Sequence, residues 1–368
     1  MNPLQQLHSY GQSFWYDNIR RKYLEDGTLA GYITKDGLRG LTSNPSIFEK
    51  AIAGSDDYDA QIAALSAQGK SVAEIYDTLS ISDIQAACDL FQPIYEASNR
   101  QDGYVSLEVS PHLAHDTEGT IADAKRLFTA VARPNLMIKV PATDEGIPAI
   151  QTLIGAGINV NVTLMFNMRH YEAVAQAYIA GLDTLVVDGG DPAGVASVAS
   201  FFVSRVDSAV DKALVGKGAN HLLGKTAVAN SKVVYQRFKE LFHGAQFADL
   251  KAKGAQVQRL LWASTSAKNP AYPDTLYIDE LIGSETISTI PPNTVEAFRD
   301  HGMVKNTLET AVDEAQSVLA ELAANDIDLD AITEQLQVDG VAAFSQSFDT
   351  LLLALERKRT LLLTSKDV

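Results

Sequence analysis

The chain has 368 residues, of which 46% are apolar, so it can bury a large core and does not belong to the disordered class. Its formal charge of -16, from 30 basic against 46 acidic residues, argues against nucleic acids and anionic membranes as partners. The single cysteine, Cys88, excludes an internal disulfide and is typical of a reducing cytosol.

The first residues, MNPLQQLHSYGQ, contain neither a basic segment nor an apolar one. No targeting signal is therefore predicted, and we expect a cytoplasmic protein. The uncharged stretch from 146 to 168 is interrupted by proline, glycine and asparagine, which predicts a helix, a turn and a strand rather than a membrane span.

Eight short segments along the chain have the composition of β-strands. They lie at 13–19, 37–45, 103–111, 136–143, 159–166, 199–206, 259–265 and 284–292. Helical patterns separate most of them, and the gaps at 46–102 and 207–258 have room for more than one helix each. From residue 304 to the end the pattern is mostly helical, with no obvious strand.

Several helix boundaries are predicted by capping residues. The spacing of a capping box occurs at Ser71 and again at Ser82, which predicts a helix start at each. Residues 120–132 place their apolar side chains on one helical face. Asn167 is predicted to cap the helix that follows it, and Gly181 to lie near the end of that helix.

Strands that alternate with helices predict parallel strands joined by crossover connections. Eight such units predict one domain, residues 1–368, folded as a closed (β/α)8 TIM barrel of the α/β class, with extra helices and a helical C-terminal segment at about 304–368. A doubly wound open sheet is the structural alternative, although no G-x-G-x-x-G follows a strand and no P-loop occurs. A further alternative is an antiparallel sheet whose polar face is exposed to water, but that arrangement would leave the helices between the strands without a role.

Apolar and polar side chains alternate in three of the predicted strands. Polar positions are Ser106 and Glu108 in VSLEV, Lys139 in LMIKV, and asparagine and threonine in NVNVTL. If the apolar sides face the helices, these polar residues point into the barrel, where aliphatic side chains are usual. The sequence therefore predicts a buried polar cluster whose members need hydrogen-bond partners.

Lys139 is the member of this cluster with the most distinctive chemistry. A lysine amine that is kept neutral by burial attacks a ketone to form a Schiff base, and the iminium is an electron sink for cleavage of the adjacent C–C bond. That chemistry needs a proton relay but no metal or cofactor, and the seven scattered histidines form no metal-binding motif. On the pattern alone, a structural ion pair with Glu108 explains a buried lysine equally well.

Four motifs in order along the chain resemble those of the transaldolases, the Schiff-base class I enzymes of the pentose phosphate pathway. They are LTSNPSIFEKAI (41–52), LMIKVPATDEGIPAI (136–150), INVNVTLMF (158–166) and VASVASFFVSRVD (195–207). The chain length and the stretch LWASTSAKNP (261–270) look most like the longer bacterial branch of that family. The resemblance implies that the C-terminal helix covers the mouth of the active site, whereas an oligomer interface is an equally open role for it.

The resemblance also implies a role for each matching residue. Lys139 is implied to form the Schiff base, and Glu108 to act as a general acid/base through a water that Thr163 helps to hold. Asp17 is implied to deprotonate the sugar C4 hydroxyl as the C3–C4 bond breaks. The implied substrate-binding residues are Asn44, Asn161 and Ser200, for the sugar hydroxyls and the dihydroxyacetone unit, and Arg205, for the phosphate.

These residues also have local structural explanations. Asp17 could cap a helix, and Asn44, which precedes a proline, could be a turn residue. Asn161 and Ser200 could satisfy backbone groups. The sequence leaves these alternatives open.

The phosphate site is where the sequence departs from the shorter branch of the family. In that branch a serine and an arginine follow the seventh strand, whereas WASTSAKN contains no arginine. We predict that Ser264 and Lys268 complete the site, with Ser266 as a weaker candidate, although a lysine holds an anion less directionally. If Arg205 and Lys268 converge, an acidic protein can still bind sugar phosphates. The alternative for Arg205 is an exposed ion pair with Asp207.

Three functions are compatible with these residues. The first is reversible transfer of dihydroxyacetone from sedoheptulose 7-phosphate to glyceraldehyde 3-phosphate, giving erythrose 4-phosphate and fructose 6-phosphate. The second is a plain aldolase that cleaves fructose 6-phosphate, but Phe202 cannot position a water as a tyrosine hydroxyl could, which favours transfer. The third, an inactive sugar-phosphate-binding protein, does not require Lys139, Glu108 and Asp17 together. We expect sugar-phosphate partners, no nucleic acid, no membrane, and a monomer or homodimer.

Overall fold

The computed structural model describes residues 1–364 and contains one closed barrel of eight parallel strands. Each strand pairs with the next along the chain, and the last pairs with the first. The strands are β1 (Gln12–Asp17), β2 (Gly40–Thr42), β3 (Val105–Glu108), β4 (Leu136–Pro141), β5 (Val160–Met165), β6 (Ser197–Phe202), β7 (Arg259–Ala263) and β8 (Thr286–Ile290). The predicted (β/α)8 fold is confirmed, and all eight predicted strands are present.

Helices connect and surround these strands. In the described residues they are α1 (Pro3–Leu7), α2 (Arg21–Glu25), α3 (Thr28–Asp36), α4 (Pro45–Ala53), α5 (Asp59–Ala67), α6 (Val72–Ala97), α7 (Thr117–Val131), α8 (Gly146–Gly155), α9 (Met168–Val187), α10 (Ser204–Leu214), α11 (Thr226–Phe242), α12 (Ala245–Ala252), α13 (Leu276–Asp279), α14 (Pro292–His301), α15 (Val312–Ala324) and α16 (Leu329–Thr364). Short 3-10 turns lie at His8–Tyr10, Pro111–Leu113, Pro192–Gly194 and Asn220–Leu222. The two long gaps hold several helices each, as predicted.

The predicted capping signals were right at one serine and wrong at the other. Ser71 caps α6 in a complete capping box, because its hydroxyl accepts from the Glu74 amide while the Glu74 carboxylate accepts from the Ser71 amide. The second start at Ser82 is wrong, since α6 continues through it to Ala97. The apolar face of α6 runs past this serine without a break, with Leu79 and Ile84 both buried, and tertiary packing outweighs the local capping signal.

Two further boundaries were misplaced. Asn167 caps α9, as predicted, but Gly181 lies inside that helix, which ends at Val187. A Cβ at 181 would lie 2.7 Å from the side chain of Ile154, so the glycine permits close packing of α9 on α8 rather than ending the helix. The sixth strand was predicted to reach 206 but ends at Phe202, because the apolar run continues directly into α10.

The strand faces follow the predicted alternation. Outward-facing residues such as Leu107, Ile138 and Val162 are buried against the helices, while Ser106 and Glu108 point towards neighbouring strands of the barrel. The polar cluster predicted for the barrel interior is therefore present.

Helix α16 packs on α4, α5, α6, α10 and the end of β5, at the C-terminal end of the barrel. Its buried residues recur along one face: Thr333, Gly340, Phe344, Leu351 and Leu355. The last four residues of the predicted helical segment, 365–368, lie outside the described residues. Within residues 1–364, no helix is long and apolar enough to cross a membrane.

Candidate active site

A cavity of about 460 Å³ opens at the C-terminal ends of the strands. This is the end of the barrel at which enzymes with this fold bind their substrates. Most of the predicted site residues line the cavity: Asp17, Asn44, Lys139, Thr163, Ser200, Arg205, Ser264, Ser266 and Lys268. Glu108 and Asn161 are outside its lining, but each contacts a residue that lines it: Glu108 contacts Lys139, and Asn161 contacts Ser200.

Lys139 lies on β4 with its side chain in the barrel and only 4% of the residue exposed. Its Nζ donates a hydrogen bond to the carbonyl oxygen of Ser43 at 3.1 Å. The same nitrogen is 3.4 Å from Oε2 of Glu108 and 5.6 Å from the ring centroid of Phe344. One ordinary hydrogen bond thus orients the amine, which also lines the cavity.

Glu108 faces Lys139 across the pairing of β3 with β4. Burial raises the pKa of the Glu108 carboxyl, against the opposing effect of the Lys139 charge, and the charge of Asp17 raises it further. Oε2 accepts no hydrogen bond from any residue between 1 and 364. The ion pair with Lys139 is therefore long and incomplete, which suits a carboxyl group that exchanges protons better than a structural salt bridge.

Thr163 lies on β5, on the other side of the strand that carries Lys139. Its hydroxyl is fully buried and has no partner in the described part of the chain. Buried hydroxyls normally form hydrogen bonds, so the Oγ1 of Thr163 and the Oε2 of Glu108 are both free to bond a substrate or a water molecule.

Asp17 is the last residue of β1 and lines the cavity. The hydroxyl of Thr42 lies 2.7 Å from Oδ1 of Asp17 and 2.6 Å from the hydroxyl of Thr289. Neighbours on β2 and β8 therefore fix the carboxylate. The alternative that Asp17 caps a helix is wrong, because α2 begins four residues later and has no side-chain cap.

Asn44 serves local structure and also reaches the cavity. It caps α4, with Oδ1 accepting from the amide of Ile47 at 3.0 Å and Pro45 at the first helical position. Its side-chain NH2 donates to none of residues 1–364, and the residue lines the cavity. The cap thus holds the amide in place while leaving its two N–H donors available.

Ser200, Asn161 and Ser106 form a chain of hydrogen bonds across three strands. The Ser200 hydroxyl donates to Oδ1 of Asn161 at 2.7 Å, and Nδ2 of Asn161 donates to the Ser106 hydroxyl at 2.9 Å. Ser200 lines the cavity, whereas Asn161 lies beneath it and is fully buried. The alternative that both side chains satisfy backbone groups is wrong, because they bond to each other.

Arg205 lies in the first turn of α10 and points into the cavity without an ion pair or hydrogen bond to residues 1–364. Its guanidinium carbon is 5.2 Å from the ring centroid of Phe202. Burial lowers the pKa of Arg205, opposed by the charge of Asp17, but an arginine remains protonated. The predicted alternative, a pair with Asp207, is wrong because Asp207 is buried and accepts from Ala227 and Tyr277.

The segment after β7 contributes the other predicted phosphate ligands. Lys268 donates to the Ser266 hydroxyl at 2.6 Å, and partial desolvation together with the charge of Arg205 lowers the pKa of Lys268. Ser264 has a φ of +56°, a left-handed conformation that non-glycine residues rarely adopt, and its hydroxyl is 3.0 Å from that of Ser204. Such backbone strain is common at functional sites.

Sequence reasoning missed many of the residues that line the cavity, and two of them, Lys50 and Phe344, bear directly on its charge and its cover. Lys50 of α4 lines it, and its charge also lowers the pKa of Lys268. Phe344 of α16 lines it from above Lys139. Lys50 belongs to a motif quoted above, so its position was available as a signal, whereas no local pattern marks Phe344. The family-implied position of the C-terminal helix over the mouth is confirmed. Residues 1–364 contain no group of three or more His, Cys, Asp or Glu arranged to hold a metal.

Comparison with known proteins gives one consistent family. The family model described as Transaldolase/Fructose-6-phosphate aldolase matches residues 14–355. A protein named Transaldolase from Thiobacillus denitrificans is 49% identical, over 96% of this chain and 99% of its own. Transaldolase 2 of Nostoc punctiforme and Transaldolase of Trichodesmium erythraeum are 46% and 47% identical, each over 97% of both chains.

Proposed function

We propose that this chain, which belongs to the transaldolase/fructose-6-phosphate aldolase family, is a transaldolase. It transfers a dihydroxyacetone unit reversibly from sedoheptulose 7-phosphate to glyceraldehyde 3-phosphate, giving erythrose 4-phosphate and fructose 6-phosphate. The observation that carries this proposal is a buried lysine amine in a cavity that also contains an unpaired arginine. The amine supplies the covalent chemistry, and the guanidinium supplies the phosphate site.

The reaction begins at the ketose carbonyl. Nζ of Lys139 attacks C2, and the resulting carbinolamine loses its oxygen as water to leave an iminium. Glu108 supplies and recovers the protons of this dehydration through a water shared with Thr163. Two observations support these roles: the raised pKa of Glu108, and the free oxygen atoms of Glu108 and Thr163.

Cleavage then uses the iminium as an electron sink. Asp17 accepts the proton of the C4 hydroxyl, the C3–C4 bond breaks, and its electron pair moves towards the iminium to form an enamine. The aldose phosphate leaves as an aldehyde, while the three-carbon enamine stays on Lys139. In the second half-reaction the enamine carbon attacks the acceptor aldehyde, and Asp17 returns its proton to the new hydroxyl oxygen. Water then adds to the new iminium carbon, the C–N bond breaks, and the product ketose leaves while the amine of Lys139 is restored. The bonds that hold Asp17 to the strands support this role.

The remaining residues bind and orient the substrate. Asn44 and Ser200 present polar groups to the sugar hydroxyls, while Asn161 holds the Ser200 hydroxyl from below. Arg205 binds the phosphate with its fork of donors, and Ser264, Ser266 and Lys268 complete that site.

A plain fructose 6-phosphate aldolase is the second candidate, because the name of the matching family includes that activity. The two activities differ in what reaches the enamine on Lys139, an aldehyde or water. Phe202 lines the cavity with an apolar ring that stacks under Arg205, and it offers no hydroxyl to position a water. This favours transfer as the main reaction.

The test is to trap the intermediate. The protein is incubated with fructose 6-phosphate and sodium borohydride, digested, and analysed by peptide mass spectrometry. We expect a reduced three-carbon adduct on Lys139 and none on Lys232, a lysine that is as deeply buried but remote from the cavity. An adduct on another lysine, or none at all while activity is retained, would refute the Schiff-base proposal.

The proposal also covers the domain organisation, partners, location and subunit count of the protein. We infer a single folding unit, sugar-phosphate substrates, no nucleic-acid or membrane partner, and a cytoplasmic location. We also infer a monomer or homodimer. Size-exclusion chromatography with light scattering measures the subunit count, and a single cooperative unfolding transition tests the single folding unit.

A further inference from the structure

Phe344 of α16 forms a roof over the reactive amine. Its ring centroid is 5.6 Å from Nζ of Lys139, and only 5% of the residue is exposed. The ring belongs to the helix that crosses the mouth of the cavity, so it approaches from outside the barrel. An apolar ring in this position excludes water from one side of the amine and offers no hydrogen bond to replace it.

Contacts on both sides fix the position of this ring. Before it along α16, Gln337 donates hydrogen bonds to the carbonyl oxygens of Ala142 and Leu164, at 2.9 and 3.0 Å. After it, the hydroxyl of Ser347 accepts from the Ser46 hydroxyl at 2.7 Å. The helix is therefore bonded to the ends of β4 and β5 and to α4, all of which line the same cavity.

A glycine allows α16 to approach this closely. A Cβ at Gly340 would lie 2.8 Å from the side chain of Leu164 and 3.6 Å from the guanidinium of Arg205. Glycine is less favourable than alanine inside a helix, so this close approach lowers the local stability of the helix. Helix α16 therefore holds Phe344 in direct contact with the barrel.

We propose that Phe344 determines whether the three-carbon intermediate on Lys139 meets an aldehyde or water. This inference rests on the function proposed above and names the residue that keeps the reaction a transfer. Phe344 acts on the accessibility of the bound intermediate and is not itself a proton donor or acceptor. It is a specificity-determining residue for the choice of acceptor.

The two fates of the intermediate differ in one co-reactant. In transfer, the enamine carbon forms a C–C bond with the aldehyde carbon, and the former aldehyde oxygen takes up a proton. In hydrolysis, the enamine carbon is protonated to give an iminium, and water adds to the iminium carbon. The C–N bond then breaks, which releases free dihydroxyacetone and restores the amine of Lys139. Water releases the product from an iminium in both fates, but only hydrolysis first needs a proton on the enamine carbon. A water molecule that reaches the bound intermediate past Phe344 supplies that proton, and the resulting hydroxide adds to the iminium carbon.

Phe202 and Phe344 cover different parts of the cavity. The ring of Phe202 lies 5.2 Å from the guanidinium carbon of Arg205 and 5.2 Å from the ring centroid of Phe166, on the phosphate side. Phe344 faces the amine itself. The two rings therefore act separately on water access, and a change at one does not reproduce a change at the other.

The test compares the full chain with four variants. Phe344→Ala removes the ring, Phe344→Gln replaces it with a smaller polar side chain, and Phe344→Leu keeps an apolar side chain there. Phe348→Ala is the matched control, because Phe348 lies one turn further on the same helix. Its ring packs on Tyr76 and His112, away from the amine, with centroid distances of 5.3 and 5.8 Å.

Each protein is given fructose 6-phosphate with and without erythrose 4-phosphate. Free dihydroxyacetone and sedoheptulose 7-phosphate are quantified in the same sample, so their ratio is independent of the amount of folded protein. We expect Phe344→Ala and Phe344→Gln to raise the ratio of hydrolysis to transfer roughly tenfold, and Phe344→Leu and Phe348→Ala to leave it within about twofold. Circular dichroism identifies any variant that fails to fold.

Two outcomes overturn the inference: an unchanged ratio in whichever roof-opening variant folds, or an equal rise in Phe348→Ala. Borohydride trapping on the same proteins separates this failure from failure of the proposed function. If the wild-type chain gives no adduct on Lys139, the proposed function itself is wrong. If the adduct forms in every variant and the ratio does not move, only the role of Phe344 is wrong.

Discussion

At the N-terminal end of the barrel the buried Asp102 lies between Arg39 and Arg259, whereas at the C-terminal end the buried Glu108 lies beside a single lysine. Asp102 also accepts hydrogen bonds from Ser13 at 2.7 Å and from Trp15 at 3.0 Å. Both oxygens of Asp102 therefore have partners. Oε2 of Glu108 has only the 3.4 Å ion pair with Lys139 and accepts no hydrogen bond in residues 1–364.

The same contrast holds for the arginines of the two ends. Arg259 donates to the Ser13 hydroxyl and to the carbonyl oxygens of Gln101 and Thr286, in addition to its pair with Asp102. Arg205 makes no such contact with any described residue, although it is largely enclosed. Buried charges without partners cost free energy, and a protein retains them where a ligand supplies the missing partner.

Backbone strain occurs at both ends of the barrel, since Ala132 and Glu285, which lie before β4 and β8, have φ values of +51° and +54°. Leu164, near the end of β5, and Ser264, directly after β7, have φ values of +60° and +56°. Each such residue costs on the order of 1 kcal/mol. Leu164 is buried near the C-terminal end of β5, whereas Ser264 lines the cavity. The N-terminal end thus provides protein partners for its buried charges, whereas the C-terminal end leaves charged and polar groups without partners in residues 1–364.

The largest expected effect is on activity, at the C-terminal end. Lys139→Met should lower kcat by about 10⁴-fold or more, because no other amine can form the Schiff base. Lys232→Met is a matched control, since Lys232 is 5% exposed and lies 3.4 Å from Glu280, the same separation as between Lys139 and Glu108. Steady-state assays should show kcat unchanged in the control, and Lys50 and Lys268, which also line the cavity, should not restore activity because neither lies beside Glu108 as Lys139 does. Substantial activity in Lys139→Met would show that the amine is structural.

The second effect is on stability, at the N-terminal end. Asp102→Ala should lower the free energy of unfolding by about 3–5 kcal/mol, because it leaves Arg39 and Arg259 without their carboxylate. The kcat of the folded protein should remain within about twofold of wild type, since Asp102 lies at the opposite end of the barrel from the cavity. Urea denaturation followed by circular dichroism measures the first quantity. A stable variant with reduced kcat would contradict the division between the two ends.

The sequence predicted the strand residues of the active site better than the helices that pack around them. Period-two alternation places Glu108 and Lys139 on inward faces in any parallel barrel, because each strand has only two sides. The order of the motifs then brings them to one end of the barrel. Local rules succeed here because a strand residue has few possible environments.

The sequence could not predict contacts made across long distances by helices. Helical periodicity gives α16 an apolar face but does not say what that face covers, so the position of Phe344 over Lys139 was not derivable. The same reason explains the errors at Ser82 and Gly181, where tertiary packing outweighs a local signal. Whether a charged residue finds a partner is likewise a property of the folded chain, as Arg205 illustrates.

The third effect is on substrate affinity, at the phosphate site. Arg205→Leu should lower kcat/KM for phosphorylated substrates by about 10²-fold, since charge-assisted hydrogen bonds to the phosphate are lost. Transfer to unphosphorylated glyceraldehyde, measured with the same donor at saturation, should fall much less. Lys268→Gln should have a smaller effect in the same direction, because its side chain is exposed and already bonded to Ser266. Equal losses with both acceptors would argue against phosphate binding by Arg205.

The free energy of unfolding of Arg205→Leu should also differ from that of Asp102→Ala, the variant at the N-terminal end. Because this guanidinium has no partner among the described residues, Arg205→Leu should not lower the free energy of unfolding, in contrast to Asp102→Ala. Urea denaturation of the two variants under identical conditions makes the comparison direct. A loss of several kcal/mol in Arg205→Leu would mean that its charge is structurally paired in solution.

The smallest expected effect depends on pH. Burial raises the pKa of Glu108 in the folded protein, so the folded state holds this proton more tightly than the unfolded state does. That contribution to stability is fully present below about pH 4.3, the ordinary pKa of glutamate, and is lost as the pH rises through the folded pKa. Glu108→Gln has no proton to lose. Its free energy of unfolding relative to wild type should therefore rise with pH, by a difference on the order of 1 kcal/mol.

Urea denaturation of wild type and Glu108→Gln between pH 4 and 8 measures this difference, and other titrating groups cancel because both proteins share them. A difference that falls with pH would mean that Lys139 stabilises the Glu108 carboxylate as an ordinary salt bridge. In that case the two ends of the barrel would hold their buried carboxylates in the same way. A rise with pH would instead show that the fold leaves Glu108 short of partners, as a proton-exchanging group requires.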